Sequence, residues 1–147
     1  MNRCDFCGQE HILGTLFCSE CAAPLAAGNG YDSLAQVPAY ESLHILIAAS
    51  RRQVQFHLNG PLWIGRADPD AGFWPQLDLT PDNGAFLGVS RRHAVIDVTD
   101  RGPVLIDKNS INGTWLEDER LAPQRPYVLP ATARVRFGRL ETRIVLE

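Results

Sequence analysis

The chain is poor in lysine, lacks any long apolar run and shows no sustained helical period. Of its fourteen basic residues only Lys108 is lysine; the others are arginine. Arginine presents a planar fork suited to bidentate contact with phosphate or carboxylate, although a GC-rich genome also favours its codons. No stretch of about 18 apolar residues occurs, so no membrane-spanning helix is expected. Met1-Asn2-Arg3-Cys4 opens without an apolar h-region, which predicts no signal peptide. The formal charge of −3 leaves no basic footprint for a polyanion. No cysteine follows Cys21, and without a secretion signal the expected compartment is a reducing cytoplasm. A nucleophile elbow and an oxyanion loop are missing too. Ser90, His93 and Asp97 or Asp107 could be imagined as a triad, but Ser90 and His93 stand three apart at a strand entrance. The sequence is therefore read as that of a non-enzyme.

What is present falls into three parts. Residues 1–25 carry Cys4-x-x-Cys7 and Cys18-x-x-Cys21, ten residues apart. Two such pairs bring four thiolates together on knuckle turns, the donor set of tetrahedral zinc. Gly8 supplies positive φ after the first pair, and Phe17 is placed to shield the site. Two disulfides or a redox dithiol are the alternatives; the first wants an oxidising compartment and the second a βαβ context. A unit this small cannot bury enough surface alone, so a structural Zn2+ is expected to hold it together. The segment resembles the short zinc ribbons of bacterial regulatory proteins, in which all four cysteines are ligands. Residues 26–42 read as a linker rich in small residues, with one helical turn conceivable at 32–37.

From Leu43 to Glu147 the pattern is β. His44 to Ala48 is a buried run, and Val54, Phe56 and Leu58 alternate with Gln53, Gln55 and His57. Asn59-Gly60 predicts a hairpin to Leu62-Trp63-Ile64, which would deliver Gly65-Arg66 at its end. Two short apolar runs lie between His93 and Asp107, and short strands are expected at 77–80, 115–116, 125–129, 133–138 and 142–146, separated by Gly and Pro turns. Such a series predicts a two-sheet sandwich.

Three polar blocks sit at strand ends: Gly65-Arg66, then Ser90-Arg91-Arg92-His93, then Asn112-Gly113-Thr114. In this order they resemble the forkhead-associated (FHA) domain over roughly residues 43–147. The resemblance implies an all-β, two-sheet sandwich preceded here by the small zinc ribbon. It also implies recognition of phosphothreonine peptides, hence phosphorylation-dependent protein–protein interaction in bacterial-type Ser/Thr kinase signalling. A phosphothreonine brings about −1.5 to −2 charges and three acceptor oxygens. The resemblance assigns Arg66, Ser90 and Arg91 to the phosphate and Asn112 to the peptide backbone. Gly65, His93, Gly113 and Thr114 become supports, with His93 turned inward. Arg66 could instead pair with Asp68 or Asp70, and Arg92 should lie on the solvated strand face.

Three departures stand out. Ile111 replaces a frequent Ser or Thr, Asn109 stands where glycine is common, and Gly88 removes a basic side chain that some members carry. The turn at Asn109 should survive, because asparagine tolerates the left-handed region; the other two point to lower affinity or a different flanking preference, not to loss of function. The linker has Ser33 and Ser42 but no threonine, and Thr15 lies between the cysteine pairs. The expected ligand is therefore another protein, a Ser/Thr kinase or its substrate. The alternative reading, nucleic-acid binding through the ribbon, meets only Arg3 against Asp5, Glu10 and Glu20.

Overall fold

A computed structural model describes residues 2–4, 7–11, 17–22 and 40–147. Most of the expected linker, including the helical turn at 32–37 and Ser33, lies outside the described residues, as does Thr15.

Alternating apolar and polar side chains favour strands that bury one face. At the amino end β1 (Asn2–Arg3) and β2 (Glu10–His11) make a short antiparallel ladder. Then come β3 (Ser42–Ile47), β4 (Gln53–His57), β5 (Leu62–Gly65), β6 (Leu77–Asp78), β7 (Arg92–Thr99) and β8 (Gly102–Asp107). The series closes with β9 (Thr114–Leu116), β10 (Glu119–Arg120), β11 (Pro126–Val128), β12 (Thr132–Phe137) and β13 (Leu140–Leu146). Single turns of 3-10 helix at Pro69–Ala71 and Thr80–Asp82 interrupt the connection around β6.

The strands form the expected two-sheet sandwich. One sheet has six strands in the order β10-β9-β12-β13-β3-β4, the other five in the order β11-β8-β7-β5-β6. All neighbours are antiparallel except β5 and β6. Leu43, Ile45, Val135, Phe137, Leu140 and Ile144 face inward from the first sheet; Ile64, Ala94, Ile96 and Leu105 meet them from the second. Fully burying each Leu, Ile or Phe contributes about 1.5–3 kcal/mol before entropy is charged against it.

One expectation fails. Asn59-Gly60 does not close a hairpin: β4 pairs with β3, whereas β5 pairs with β6 and β7 in the opposite sheet. A tight two-residue hairpin needs positive φ at its centre, and neither Asn59 nor Gly60 adopts it. The segment carries the chain across the sandwich, so Val54 and Phe56 pack on the core from one side and Leu62 and Ile64 from the other.

The connections after β5, before β7, between β8 and β9, and between β12 and β13 meet at one end. Gly138 N–H donates to Gly113 C=O at 2.9 Å and Arg139 N–H to Leu87 C=O at 2.8 Å.

Candidate functional site

The segment Gly88–Arg91 is the hub. Gly65 passes so close beneath it that a Cβ there would lie 1.8 Å from the Arg91 carbonyl oxygen. Only glycine allows this approach, and the strand register shifts at the same point, between Ile64 and Gly65. The shift frees Arg66 from the sheet. Its N–H donates to Arg91 C=O at 3.0 Å and its Nε–H to Val89 C=O at 2.6 Å. Arg66 therefore does not pair with Asp68 or Asp70. The next residue is anchored by Asp78, whose Oδ1 accepts from Ala67 N–H at 3.2 Å and Thr80 N–H at 2.9 Å. Burial pushes the Asp78 carboxyl upward, but the Thr80 and Ala67 hydrogen bonds and nearby Arg52 outweigh it and hold its pKa below the ordinary value.

Below the hub lies His93, fully buried. Its Nδ1 accepts from Ser90 N–H at 2.9 Å, so the proton sits on Nε2, which donates to Gly113 C=O at 2.8 Å. Burial lowers its pKa, against smaller opposing effects of the Gly113 carbonyl and Asp107. With both ring nitrogens engaged by main chain, the Ser90–His93–Asp107 triad considered from the sequence is not assembled. Asp107 turns elsewhere, accepting from Ser110 and, at 2.7 Å, from the buried Thr114 hydroxyl.

From the third block, Ile111 N–H donates to Ser90 Oγ at 3.2 Å and Asn112 Nδ2 to Gly88 C=O at 3.0 Å. Gly88 has φ +83°, and a Cβ there would come within 2.7 Å of the Asn112 amide nitrogen. Asn109 adopts φ 59°, the left-handed conformation expected of it. Arg91 extends to Asp68 at 3.3 Å, while Arg92 lies on the other side over the Phe73 ring at 4.3 Å. Thus Arg66, Ser90, Arg91 and Asn112 belong to one cluster, and Gly65, His93, Gly113 and Thr114 lie buried under it.

The model of the FHA domain matches residues 62–138. The chain belongs to the FHA family. No curated protein matches it, but solved structures do. An FHA domain from a structural and functional analysis of phosphothreonine-dependent interactions is 29% identical, with 72% of this chain and 97% of that chain covered and a TM-score of 0.55. The FhaA FHA domain, solved with the intracellular domain of Rv3910, is 28% identical over 69% of this chain and 98% of that one, TM-score 0.53. EmbR of Mycobacterium tuberculosis, solved with a low-affinity phosphopeptide, shares the fold at 24% identity and TM-score 0.57, over 72% of this chain and 24% of its own.

Ahead of the FHA domain, the Sγ atoms of Cys4, Cys7, Cys18 and Cys21 all lie within 4.8 Å of one another. Two of the pairs, Cys4–Cys21 and Cys7–Cys18, are 3.4 and 3.5 Å apart. Thiolates about 2.3 Å from a tetrahedral zinc would be roughly 3.8 Å apart, so the donor set fits that ion. The two knuckles share one backbone device. Gly8 N–H returns to Cys4 C=O at 2.9 Å and Ala22 N–H to Cys18 C=O at 2.8 Å, with positive φ at both Gly8 and Ala22. Phe17 does not shield the sulfurs; it is 62% exposed. Cover comes instead from Val128 of β11.

Sequence reasoning missed the bracing role of several acidic residues: it offered Asp68 only as a partner for Arg66 and Asp107 only for a triad, and gave Asp78 and Asp82 no role. Asp82, buried, binds Ser50 and Arg52 and ties the β3–β4 turn to the second 3-10 turn. Asp107, Asp78 and Asp68 brace the three blocks. A carboxylate followed by hydroxyls at short spacing, as in Asp107, Ser110 and Thr114 or Asp78 and Thr80, was the available signal.

Proposed function

We propose that this FHA domain binds phosphothreonine segments of partner proteins and so mediates phosphorylation-dependent interaction in Ser/Thr kinase signalling, the partner being a kinase or its substrate. The observation that carries this reading is the convergence of three separate loops on Gly88–Arg91. The remaining hydrogen-bonding capacity has the right chemistry. Arg66 uses Nε on Val89, while its Nη nitrogens make no hydrogen bond to the described residues and are available to phosphate oxygens. Ser90 Oγ accepts from Ile111 N–H, which leaves its own O–H to donate. Arg91 adds a second cation at the rim, shared with Asp68. Asn112 spends its amide N–H on Gly88 and keeps its Oδ1 for a peptide N–H. Related domains at 28–29% identity are described in phosphothreonine-dependent interactions and in complex with a protein's intracellular domain, which supports the same reading.

The four cysteines would hold a structural Zn2+, completing its coordination without a place for substrate. Their contribution to function is to order the unit and its contact with β11. The cytoplasm is the compartment in which reduced thiols and kinase substrates coexist.

Calorimetry with matched phosphothreonine and threonine peptides tests the proposal. Binding of the phosphorylated form alone is expected, and Arg66→Ala or Ser90→Ala should cost about 2–5 kcal/mol. Equal affinities for the two peptides would refute it.

A further inference from the structure

The outer face of the six-stranded sheet carries an arrangement that folding does not require. Arg134 and Arg143 stand directly opposite each other on β12 and β13, and Arg136 stands beside Trp115 of β9. Like charges placed directly across a ladder disfavour it. Arg134 is relieved by Asp118 at 2.6 Å and Glu117 at 3.6 Å, but Arg143 and Arg136 have no ion pair among the described residues. Arg136 lies over the Trp115 ring at 4.7 Å, with Arg120 near the same ring at 5.8 Å. These contacts hold the guanidinium in place while leaving its edge open. The chain is net acidic, yet Arg51, Arg120, Arg134, Arg136, Arg139 and Arg143 gather on and around this face, six of its fourteen basic residues.

The face is also hollow. A cleft of about 410 Å³ is lined by Leu46, Arg51, Trp115, Arg134, Arg136 and Arg143, with Asp118 and Glu141 as its carboxylates. A second, of about 300 Å³, is lined by Gly88, Asn112, Trp115, Arg136, Gly138 and Arg139. They share Trp115 and Arg136, so the two clefts adjoin and together cover the surface from the amide assigned to the peptide backbone to the middle of the sheet. Leu46, 37% exposed, offers an apolar spot on its floor.

We propose that this groove takes an acidic flank of the same segment that carries the phosphothreonine, making the ligand bipartite: a phosphate on the loops and carboxylates on Arg136 and Arg143. The inference rests on the phosphopeptide reading and extends it to the ligand's composition. From Trp115 to Arg143 the path crosses two strand spacings of about 4.8 Å and a two-residue offset, roughly 12 Å, or about four extended residues. That leg starts at Trp115, beyond the loops that hold the phosphate, so the residues meeting Arg143 lie at least about four positions from the phosphothreonine.

The test uses the full zinc-loaded chain and four peptides: a phosphothreonine peptide with neutral flanks, the same peptide with four glutamates beyond a four-residue spacer on its amino or on its carboxyl side, and an unphosphorylated acidic peptide. One acidic flank should tighten binding about tenfold at low salt, and the gain should fade as salt rises. Arg143→Glu should abolish that gain and leave the neutral phosphopeptide unchanged; the new carboxylate faces Arg134, so the sheet should persist. If the neutral phosphopeptide binds and neither acidic flank improves it, the groove proposal is overturned while the phosphate site stands. If the neutral phosphopeptide does not bind but the acidic peptides bind equally with and without the phosphate, and Arg143→Glu abolishes that, the phosphate reading falls and the groove remains. Equal competition by a single-stranded oligonucleotide would overturn the assignment to peptide.

Discussion

The cysteine unit and the sandwich order their chains by opposite means. In the sandwich, a large set of buried side chains drawn from nine of the eleven strands and from loops forms one cluster. No single contact dominates it. In the cysteine unit the cluster is Cys4, Cys18 and Cys21, with Cys7 and a valine borrowed from β11 packed against it. Phe17 stays exposed and takes no part in that cluster. Many weak contacts give cooperativity and tolerance; a few strong bonds give order that disappears at once when the bonds do. The difference teaches that the two regions should fail separately, under different insults.

The largest expected effect is on the cysteine side. On the proposal that the four cysteines hold zinc, stripping the ion with a chelator, or replacing Cys18 by Ser, should cost the unit most of an apparent ~10–16 kcal/mol and unfold it. Backbone amide signals of residues 2–22 should collapse to the centre of the NMR spectrum while those of β3 to β13 stay dispersed. Collapse of both sets would show that the sandwich depends on the unit.

The reverse insult is Phe137→Ala. This ring is fully buried and meets His93 edge-on at 5.6 Å between centroids. Its truncation should cost about 3–5 kcal/mol through lost transfer energy and the cavity left behind. Urea unfolding followed by tryptophan fluorescence reports on the sandwich alone, since Trp63, Trp74 and Trp115 all lie within it. A change below about 1 kcal/mol would mean the core collapses around the gap more completely than its packing suggests.

Acid separates the regions more gently. His93 is buried neutral with a lowered pKa, so the unfolded chain binds its proton more readily. The stability it contributes is complete above its ordinary value near 6.5 and is lost as pH falls toward the lowered folded value. Asp78, also lowered, gives up its share only below about 3.8. The sandwich should therefore be less stable at pH 5.5 than at pH 7.5, and His93→Asn should flatten that slope. An unchanged slope in the variant would assign it to another group. Phosphopeptide affinity should fall over the same range for a different reason, the second protonation of the phosphate near pH 6.

These contrasts bear on what the sequence made legible. The strands were readable because apolar alternation is a local signal, and the candidate site because its residues come in contiguous blocks at strand ends. Gly65 could be read as a point of close approach from its place before Arg66. The sheet that a strand joins is not local: Asn59-Gly60 looked like a hairpin, and only the competition between two inward faces decides that β5 crosses over. Lone acids were equally opaque. Asp82 meets Arg52 across thirty positions, and Asp68 meets Arg91 across twenty-three, with no spacing to announce either. Ala22 carries the same left-handed turn as Gly8, but a residue with a Cβ gives no warning of it.

The smallest expected effect concerns the join between the regions. Arg125, just before β11, reaches Glu20 at 3.3 Å, and both side chains are nearly half exposed, at 46% and 47%. Such a pair gains little Coulomb energy in water and loses side-chain entropy, so it should contribute about 0–1 kcal/mol. Val128, packed on the cysteine cluster, is the apolar half of the same join. A double-mutant cycle on Glu20→Gln and Arg125→Gln, read as the shift in sandwich unfolding at low and high salt, should give a coupling under about 1 kcal/mol that shrinks with salt. A salt-insensitive coupling of about 2 kcal/mol or more would indicate a desolvated pair. The two regions would then be one cooperative unit, and the separate failure expected from their contrasting interiors would not occur.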